Sequence, residues 1–152
     1  MLAVRADVNN AVAKLRALME KTRAGVRDAV AAGAQRLVAL VQAKLSGEVL
    51  KARSGALRAS IRAEIDGAGA RISSDVPYAR IQEYGGRIGI PEIVPVNAKA
   101  LAFTYGGKLV FATRAAAHAI DIPERSYMRL SLAEFAPGFV DDIRKVAAES
   151  LA

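Results

Sequence analysis

The stretch VPYARIQEYGG, Val76–Gly86, follows two strand-like segments and precedes a loop rich in proline and glycine. Pro77 restricts the residue before it to an extended conformation, so we expect a strand to end there. Apolar side chains recur at every third position from Tyr78 to Tyr84, a spacing that predicts one or two turns of helix. The two closing glycines supply the positive φ that ends a short helix. The stretch therefore predicts a connector that fixes the angle between two parts of a sheet.

Residues 1–47 have the periodicity of a helix. Apolar residues step by three or four positions from Val4 to Leu45, which predicts one long helix or two helices broken near Gly25. An unbroken helix of ~40 residues would be about 60 Å long, which exceeds a compact domain of this size. We therefore expect one end of the helix to project and to pack on another copy. Ser46 and Gly47 mark the expected end of the helix.

Residues 55–113 predict an antiparallel sheet of two hairpins. Apolar and polar residues alternate strictly from Leu57 to Asp66, which predicts a strand, and Ala70–Val76 is expected to return as its partner. The segment Arg87–Val96 has no periodic face and is expected to be an extended, mobile loop. Residues 114–119 fit either a loop or a short helix.

The second hairpin is expected over Lys99–Thr113, and its register depends on the loop formed around two central glycines. A two-residue glycine loop would set Phe103 opposite Val110. An odd-length loop would place four apolar residues on one face: Leu101, Phe103, Leu109 and Phe111. Because burial of one apolar face favours the second arrangement, we expect the odd-length loop with a bulge.

Residues 123–151 predict a C-terminal helical part that is interrupted around position 137, where Pro137 suits the first turn of a new helix. The order of helix, hairpin, hairpin and helix predicts an α+β fold. It consists of a long N-terminal helix, a mostly antiparallel sheet of two hairpins and a C-terminal helix. A length of 152 residues predicts a single domain, 1–152, that can bury its own core.

The net charge of +7 is concentrated at one end of the chain. Residues 1–58 contain 11 Lys and Arg against 4 Asp and Glu, whereas residues 59–152 contain 11 of each sign. A basic helix surface of this kind can face nucleic acid, pair with an acidic neighbouring subunit or simply be solvated. The sequence has no cysteine, which excludes disulfides and thiolate chemistry. No apolar run approaches the ~20 residues that span a bilayer, so no membrane contact is expected.

We find no pattern typical of catalysis, and we expect that the protein is not an enzyme and has no catalytic residues, cofactor or metal. His118 is the only histidine and lies in an alanine-rich run. Glu64, Asp66 and Asp75 flank one turn and could bind a cation, although solvated turn carboxylates are the more common case. Arg125 and Arg129 are four residues apart at a helix start, where like charges favour contact with carboxylates of another chain.

Four segments resemble, in order and spacing, motifs of the tail-completion proteins, also called head–tail joining or neck proteins, of tailed bacteriophages and prophages. The segments are Ser54–Ile61, Tyr78–Gly86, Ile93–Phe103 and Ile122–Arg129. The sequence departs from the family at Ala117–Asp121, where members often carry a His-Pro-Gly-like turn. The long N-terminal helix is also usual for the family.

The resemblance implies a structural virion protein that forms a ring, with six copies by analogy, at the neck or tail end. The implied partners are other copies of the chain, neighbouring head–tail connector and tail-tube proteins, and passing DNA bound without sequence preference. The implied location is the virion, after assembly in the cytoplasm of the host bacterium. The resemblance also implies that the segment Arg87–Val96 lies where subunits or neighbouring rings touch.

We expect subunit contacts at eight residues of the central motif, the following loop and the start of the last helix: Tyr78, Arg80, Glu83, Tyr84, Arg87, Arg125, Tyr127 and Arg129. An alternative function is a basic nucleic-acid-binding accessory protein, although no recognition motif is present and aromatic residues are few. A third possibility is a small hydrolase that uses the carboxylates of Glu64 and Asp66.

Overall fold

The computed structural model describes residues 8–48, 55–67 and 69–151. In chain order the elements are α1 (Val8–Ala43), α2 (Ala56–Ala59), β1 (Arg62–Asp66), β2 (Gly69–Ser73), α3 (Ala79–Tyr84), β3 (Gly86–Ile90), β4 (Leu101–Tyr105), β5 (Lys108–Ala112), β6 (His118–Ile122) and α4 (Tyr127–Leu151). They fall into two compact units. The helical unit contains the described residues up to Ala79 and from Ser126 onward, and the strand unit is Arg80–Arg125. The α+β class is confirmed, and the single domain over residues 1–152 stays a prediction.

The long N-terminal helix is confirmed and is continuous, without a break at Gly25. Its 36 residues give α1 a length of about 54 Å. A wide turn at Lys44–Glu48 follows, in which Gly47 has a φ of 134°, a value that side-chain-bearing residues rarely adopt. The predicted end of the helix at positions 46 and 47 therefore coincides with this turn.

The helix α4 packs antiparallel on the second half of α1. Arg36 Nη2 lies 2.6 Å from Asp142 Oδ2, and Lys44 Nζ, just after α1, lies 2.9 Å from Glu134 Oε2. Residue numbers therefore rise along one helix as they fall along the other. Three residues before Arg36, Gly33 has no side chain and leaves room for the Phe139 ring. Phe139 also stacks on the Phe135 ring, with centroids 5.2 Å apart.

The predicted interruption of the C-terminal helix at Pro137 is wrong, because α4 runs through this residue. Pro137 has no N–H to donate to the carbonyl oxygen of Ala133, which normally costs about 3 kcal/mol in a helix interior. Both residues are exposed, so water can satisfy that carbonyl. Phe135, before Pro137, lies against the guanidinium of Arg36 in α1, and Asp142, after Pro137, pairs with the same guanidinium. This packing on α1 holds the helix together across the proline.

The core of the helical unit forms where the two long helices meet the first hairpin. Its buried members are Val41, Leu45, Ile61 and Tyr127, with Leu37, Val38, Leu57, Ile72 and Met128 packed against them. The predicted strand from Leu57 begins later, at Arg62, because Ala56–Ala59 forms one helical turn. Leu57 lies within this turn and Ile61 directly after it, and both side chains pack in the core of the helical unit.

The first hairpin is confirmed as the antiparallel pair of β1 and β2, in which Ala63 faces Ile72. The strand unit contains two further antiparallel pairs, so the described strands form three two-stranded sheets. One of these, β3 with β6, was not predicted. The first residues of the expected loop Arg87–Val96 belong to β3. The last two residues of the ambiguous segment 114–119 are the first two of β6. The two strands are about 30 residues apart, and neither has a period of its own that would reveal the pairing.

The predicted register of the second hairpin is wrong. A two-residue loop of Gly106 and Gly107 connects β4 to β5, and Phe103 faces Val110 without a bulge. Both glycines have positive φ, at 56° and 78°, as a type I′ turn requires. Leu109 and Phe111 lie on the face opposite to that of Phe103 and are about two-thirds exposed, so the apolar residues do not share one buried face.

The close contact at Gly33 gives a stability prediction with a control in the partner helix. In Gly33→Ala, the new methyl group overlaps the Phe139 ring, and we expect a loss of about 1–2 kcal/mol in the free energy of unfolding. Gly138→Ala meets no atom within 4 Å of its new Cβ, so the higher helix propensity of alanine should stabilise the protein by up to about 1 kcal/mol. Urea unfolding of both variants measures the difference. Equal stabilisation by the two substitutions would contradict the packing at Gly33.

Candidate assembly surfaces

Tyr127, at the start of α4, is an internal anchor of the helical unit. Its side chain is fully buried and packs among Val41, Leu45 and Ile61. Its hydroxyl donates a hydrogen bond of 3.2 Å to the carbonyl oxygen of Ala79, the first residue of α3. The tyrosine of the Ile122–Arg129 motif therefore holds the start of the central motif against the start of the last helix.

The central motif ends in a backbone contact inside the strand unit. The helix α3 stops at Gly85, whose N–H donates to the carbonyl oxygen of Ile81 at 2.9 Å. Gly85 has a φ of 68°, and a Cβ added to it would lie 2.7 Å from the amide nitrogen of Glu124. The two segments that resemble family motifs thus meet backbone to backbone, at a distance that only glycine permits.

Arg125 strengthens this contact. Its backbone N–H donates to the carbonyl oxygen of Gln82 at 3.1 Å, and its guanidinium lies 3.4 Å from the side-chain oxygen of the same residue. The helical spacing assumed for Arg125 and Arg129 does not apply, because α4 begins only at Tyr127. Arg129 donates a hydrogen bond of 2.6 Å to the Ser126 hydroxyl, within the helical unit.

The eight expected contact residues differ in accessibility. Tyr78, Arg80, Tyr84, Arg87 and Arg129 are exposed, and Arg125 is partly exposed. Glu83 and Tyr127 are buried, which favours a role inside the subunit for these two side chains. Arg87 faces Asp121 across β3 and β6 at 3.9 Å; both side chains are exposed, so the pair contributes little to stability. A role of these residues in subunit contacts stays a prediction.

The second hairpin exposes apolar side chains on both of its faces. Leu101, Phe103 and Val110 share one face, and Leu109 and Phe111 share the other. Phe103, Leu109 and Phe111 are exposed. Apolar groups on both sides of a two-stranded hairpin are unusual for a chain that works alone, and they are typical of a surface that a partner covers. The sequence pattern had suggested a single apolar face.

A second apolar surface lies on the first half of α1. The helical stripe is buried from Val30 to Val41, but Val12, Leu15 and Met19 are exposed. A groove of about 560 Å³ lies here, lined by residues of α1 that include Leu15, Met19 and Val26 and by Gly67 of the first hairpin. The expectation that one end of this helix extends past the core agrees with this exposure.

The candidate chemical groups do not converge. No cluster of three or more His, Cys, Asp or Glu side chains suited to a metal ion occurs in residues 8–48, 55–67 and 69–151. Asp75 lies 3.0 Å from Arg62, as an exposed ion pair, and Glu64 and Asp66 are exposed on β1. The His118 ring contacts the carbonyl oxygen of Ala116 at 3.1 Å. Among residues 8–48, 55–67 and 69–151, none of the helices has the length and apolar composition of a membrane span.

Uncovered apolar surfaces on α1 and on the second hairpin are the most prominent features of the described residues. The model of the phage virion morphogenesis family matches residues 34–149, from the middle of α1 to the end of α4. The chain therefore belongs to the phage virion morphogenesis family, and the resemblance to a phage virion protein is confirmed. Comparisons with curated proteins and with solved structures gave no match.

The contact at Gly85 can be tested against a glycine in the adjoining strand. Gly85→Ala introduces a methyl group against the backbone of Glu124 at a positive φ, and we expect a loss of about 2 kcal/mol or more in the free energy of unfolding. Gly89→Ala, in β3, meets no atom within 4 Å and should change this free energy by less than about 1 kcal/mol. Urea unfolding followed by circular dichroism measures both. A harmless Gly85→Ala would show that the motif does not need this approach.

Proposed function

We propose that this protein completes the end of a phage tail, or the adjoining neck, as a ring of identical subunits through which head and tail are joined. Membership of the virion morphogenesis family supports a role in phage assembly. The proposal of tail completion rests on the resemblance of the four segments between Ser54 and Arg129. The ring, and six as its number of copies, come from the same resemblance.

The observation that carries the proposal is the amount of apolar surface that one chain leaves uncovered. The second hairpin exposes both faces, and α1 exposes the first half of its stripe. A ring can cover both kinds of surface, because each subunit packs one surface on the neighbour to one side and a different surface on the neighbour to the other side. The uncovered surfaces support a structural role.

Nucleic-acid binding is the second candidate, and the arrangement of charge on α1 limits it. Arg16, Arg23 and Arg27 form one row along the helix, whereas Lys14 and Lys21 lie on another side. Glu20 and Asp28 fall between the two rows on the side opposite the apolar stripe. The charge therefore does not form one continuous basic stripe, and it suits loose contact with DNA that passes through a ring better than a dedicated binding site.

The function is tested in a phage or prophage that carries the gene for this chain. Deletion of the gene should leave filled heads and separate tails in electron micrographs, and the intact gene supplied in trans should restore joined particles. The double variant Leu109→Asp/Phe111→Asp should fail to restore them, because it places charge on an exposed apolar face that a partner must cover.

Arg71→Asp is the control for this experiment, since it changes an exposed residue of the first hairpin that is already polar. It should restore particles as well as the intact gene does. Circular dichroism of the purified variants shows whether each one is folded. Normal numbers of infectious particles without the chain would refute the proposed function.

A further inference from the structure

The apolar stripe on the first half of α1 has the spacing of a helix-packing seam. Its residues follow steps of four and three, in the order Val8, Val12, Leu15, Met19, Thr22 and Val26. Inside the chain, α4 reaches α1 as far as Gly25, where Val146 and Ser150 approach the helix. Val12, Leu15 and Met19, here called the α1 seam, are exposed beyond that point. They also precede residue 34, where the match to the family begins.

A row of positive charge borders the α1 seam on one side. Arg16 and Arg23 are exposed and seven residues apart, about 10.5 Å along the helix. Lys14 and Lys21 have the same spacing but lie farther around the helix, on the other side of the seam. If two copies paired antiparallel through their seams, the two arginine rows would meet, and like charges there are unfavourable. The row instead fits an apolar surface that is bordered by carboxylates.

The outer face of α4 is such a surface. Leu130, Ala133, Pro137 and Val140 are exposed on the side of α4 that points away from α1. Glu134 and Asp141 border these residues, again seven positions apart. Glu134 pairs with Lys44, whose side chain is 15% exposed, and Asp141 pairs with the exposed Arg144. Both carboxylates are more than half exposed, so each can also accept a hydrogen bond from a guanidinium of another copy.

We propose that the α1 seam of one copy packs antiparallel on the outer face of α4 in the next copy, with Arg16 beside Asp141 and Arg23 beside Glu134. The direction follows from helical geometry: each charged row lies on the same rotational side of its own apolar stripe, and such rows meet only when the helices run antiparallel. The contact joins two different surfaces, so it can propagate from copy to copy and close into a ring. The inference rests on the proposed ring, for which it names one subunit contact.

The contact predicts a specific disulfide, and the chain offers a background free of cysteine. Met19 and Pro137 lie near the centres of the two facing segments. Under mild oxidation, Met19→Cys/Pro137→Cys should give a ladder of covalent multimers, because each copy carries both halves of the contact. Each single variant should remain uncrosslinked, and an equimolar mixture of the two should give dimers only.

Charge reversal tests the paired rows independently. Arg16→Glu/Arg23→Glu should weaken self-association by about tenfold or more in sedimentation velocity, and so should Glu134→Arg/Asp141→Arg. Combining all four substitutions should restore association. Lys14→Glu/Lys21→Glu is the matched control, with the same change in net charge and the same spacing, and it should associate like the unaltered chain. Circular dichroism and urea unfolding must show that each variant is folded.

The outcomes separate this inference from the proposed function. If rings form but no ladder appears, or if the lysine control weakens association as much as the arginine variant, the contact is wrong and the ring remains. Disulfide dimers from Met19→Cys alone would show that two α1 helices pair with each other, which also overturns the contact. If the unaltered chain does not self-associate and its deletion leaves infectious particles, the proposed function and the inference fall together.

Discussion

The antiparallel packing of α4 on the second half of α1 is the contact on which the helical unit depends. It brings Tyr127 into the core beside Val41 and Leu45, and it lets α4 run unbroken through Pro137. It requires a helix surface without a side chain at Gly33, where the Phe139 ring lies. The same packing limits what the chain can cover: α4 has 25 residues and α1 has 36, so part of the apolar stripe on α1 remains outside it.

The central motif has an internal role that its composition does not suggest. Gly85 closes α3 onto the backbone near Glu124, and the Gln82 carbonyl accepts a hydrogen bond from Arg125. Polar and charged residues of the motif were natural candidates for contacts between subunits. The geometry instead divides them, since Tyr84 and Arg80 are exposed whereas Glu83 is buried. A motif of this kind can serve folding through its backbone and assembly through its exposed aromatic rings.

Local patterns predicted those features of the fold that depend on local energetics. A period of three to four predicted α1. Gly47 and Gly85 marked the ends of helices because glycine adopts a positive φ without steric cost. The errors arose where distant contacts decide. Leu57 forms a helical turn because the core reaches it there, and β3 pairs with β6 through a contact that neither strand's sequence reveals. For the candidate assembly surfaces, periodicity located the apolar stripe on α1 but could not show which part of it α4 covers.

The register of the second hairpin is a feature that the sequence mispredicted and that bears on the proposed function. A sequence argument assumes that a chain buries its apolar residues within itself, and on that assumption Leu109 and Phe111 belong on the same face as Phe103. The two glycines of the turn instead fix a two-residue loop, and this local constraint places apolar groups on both faces. A free subunit bears the cost of that exposure, while its net charge of +7 opposes indiscriminate association. An apolar surface bordered by charge, such as the α1 seam, can then associate with a partner whose charges are placed to match, as the proposed ring requires.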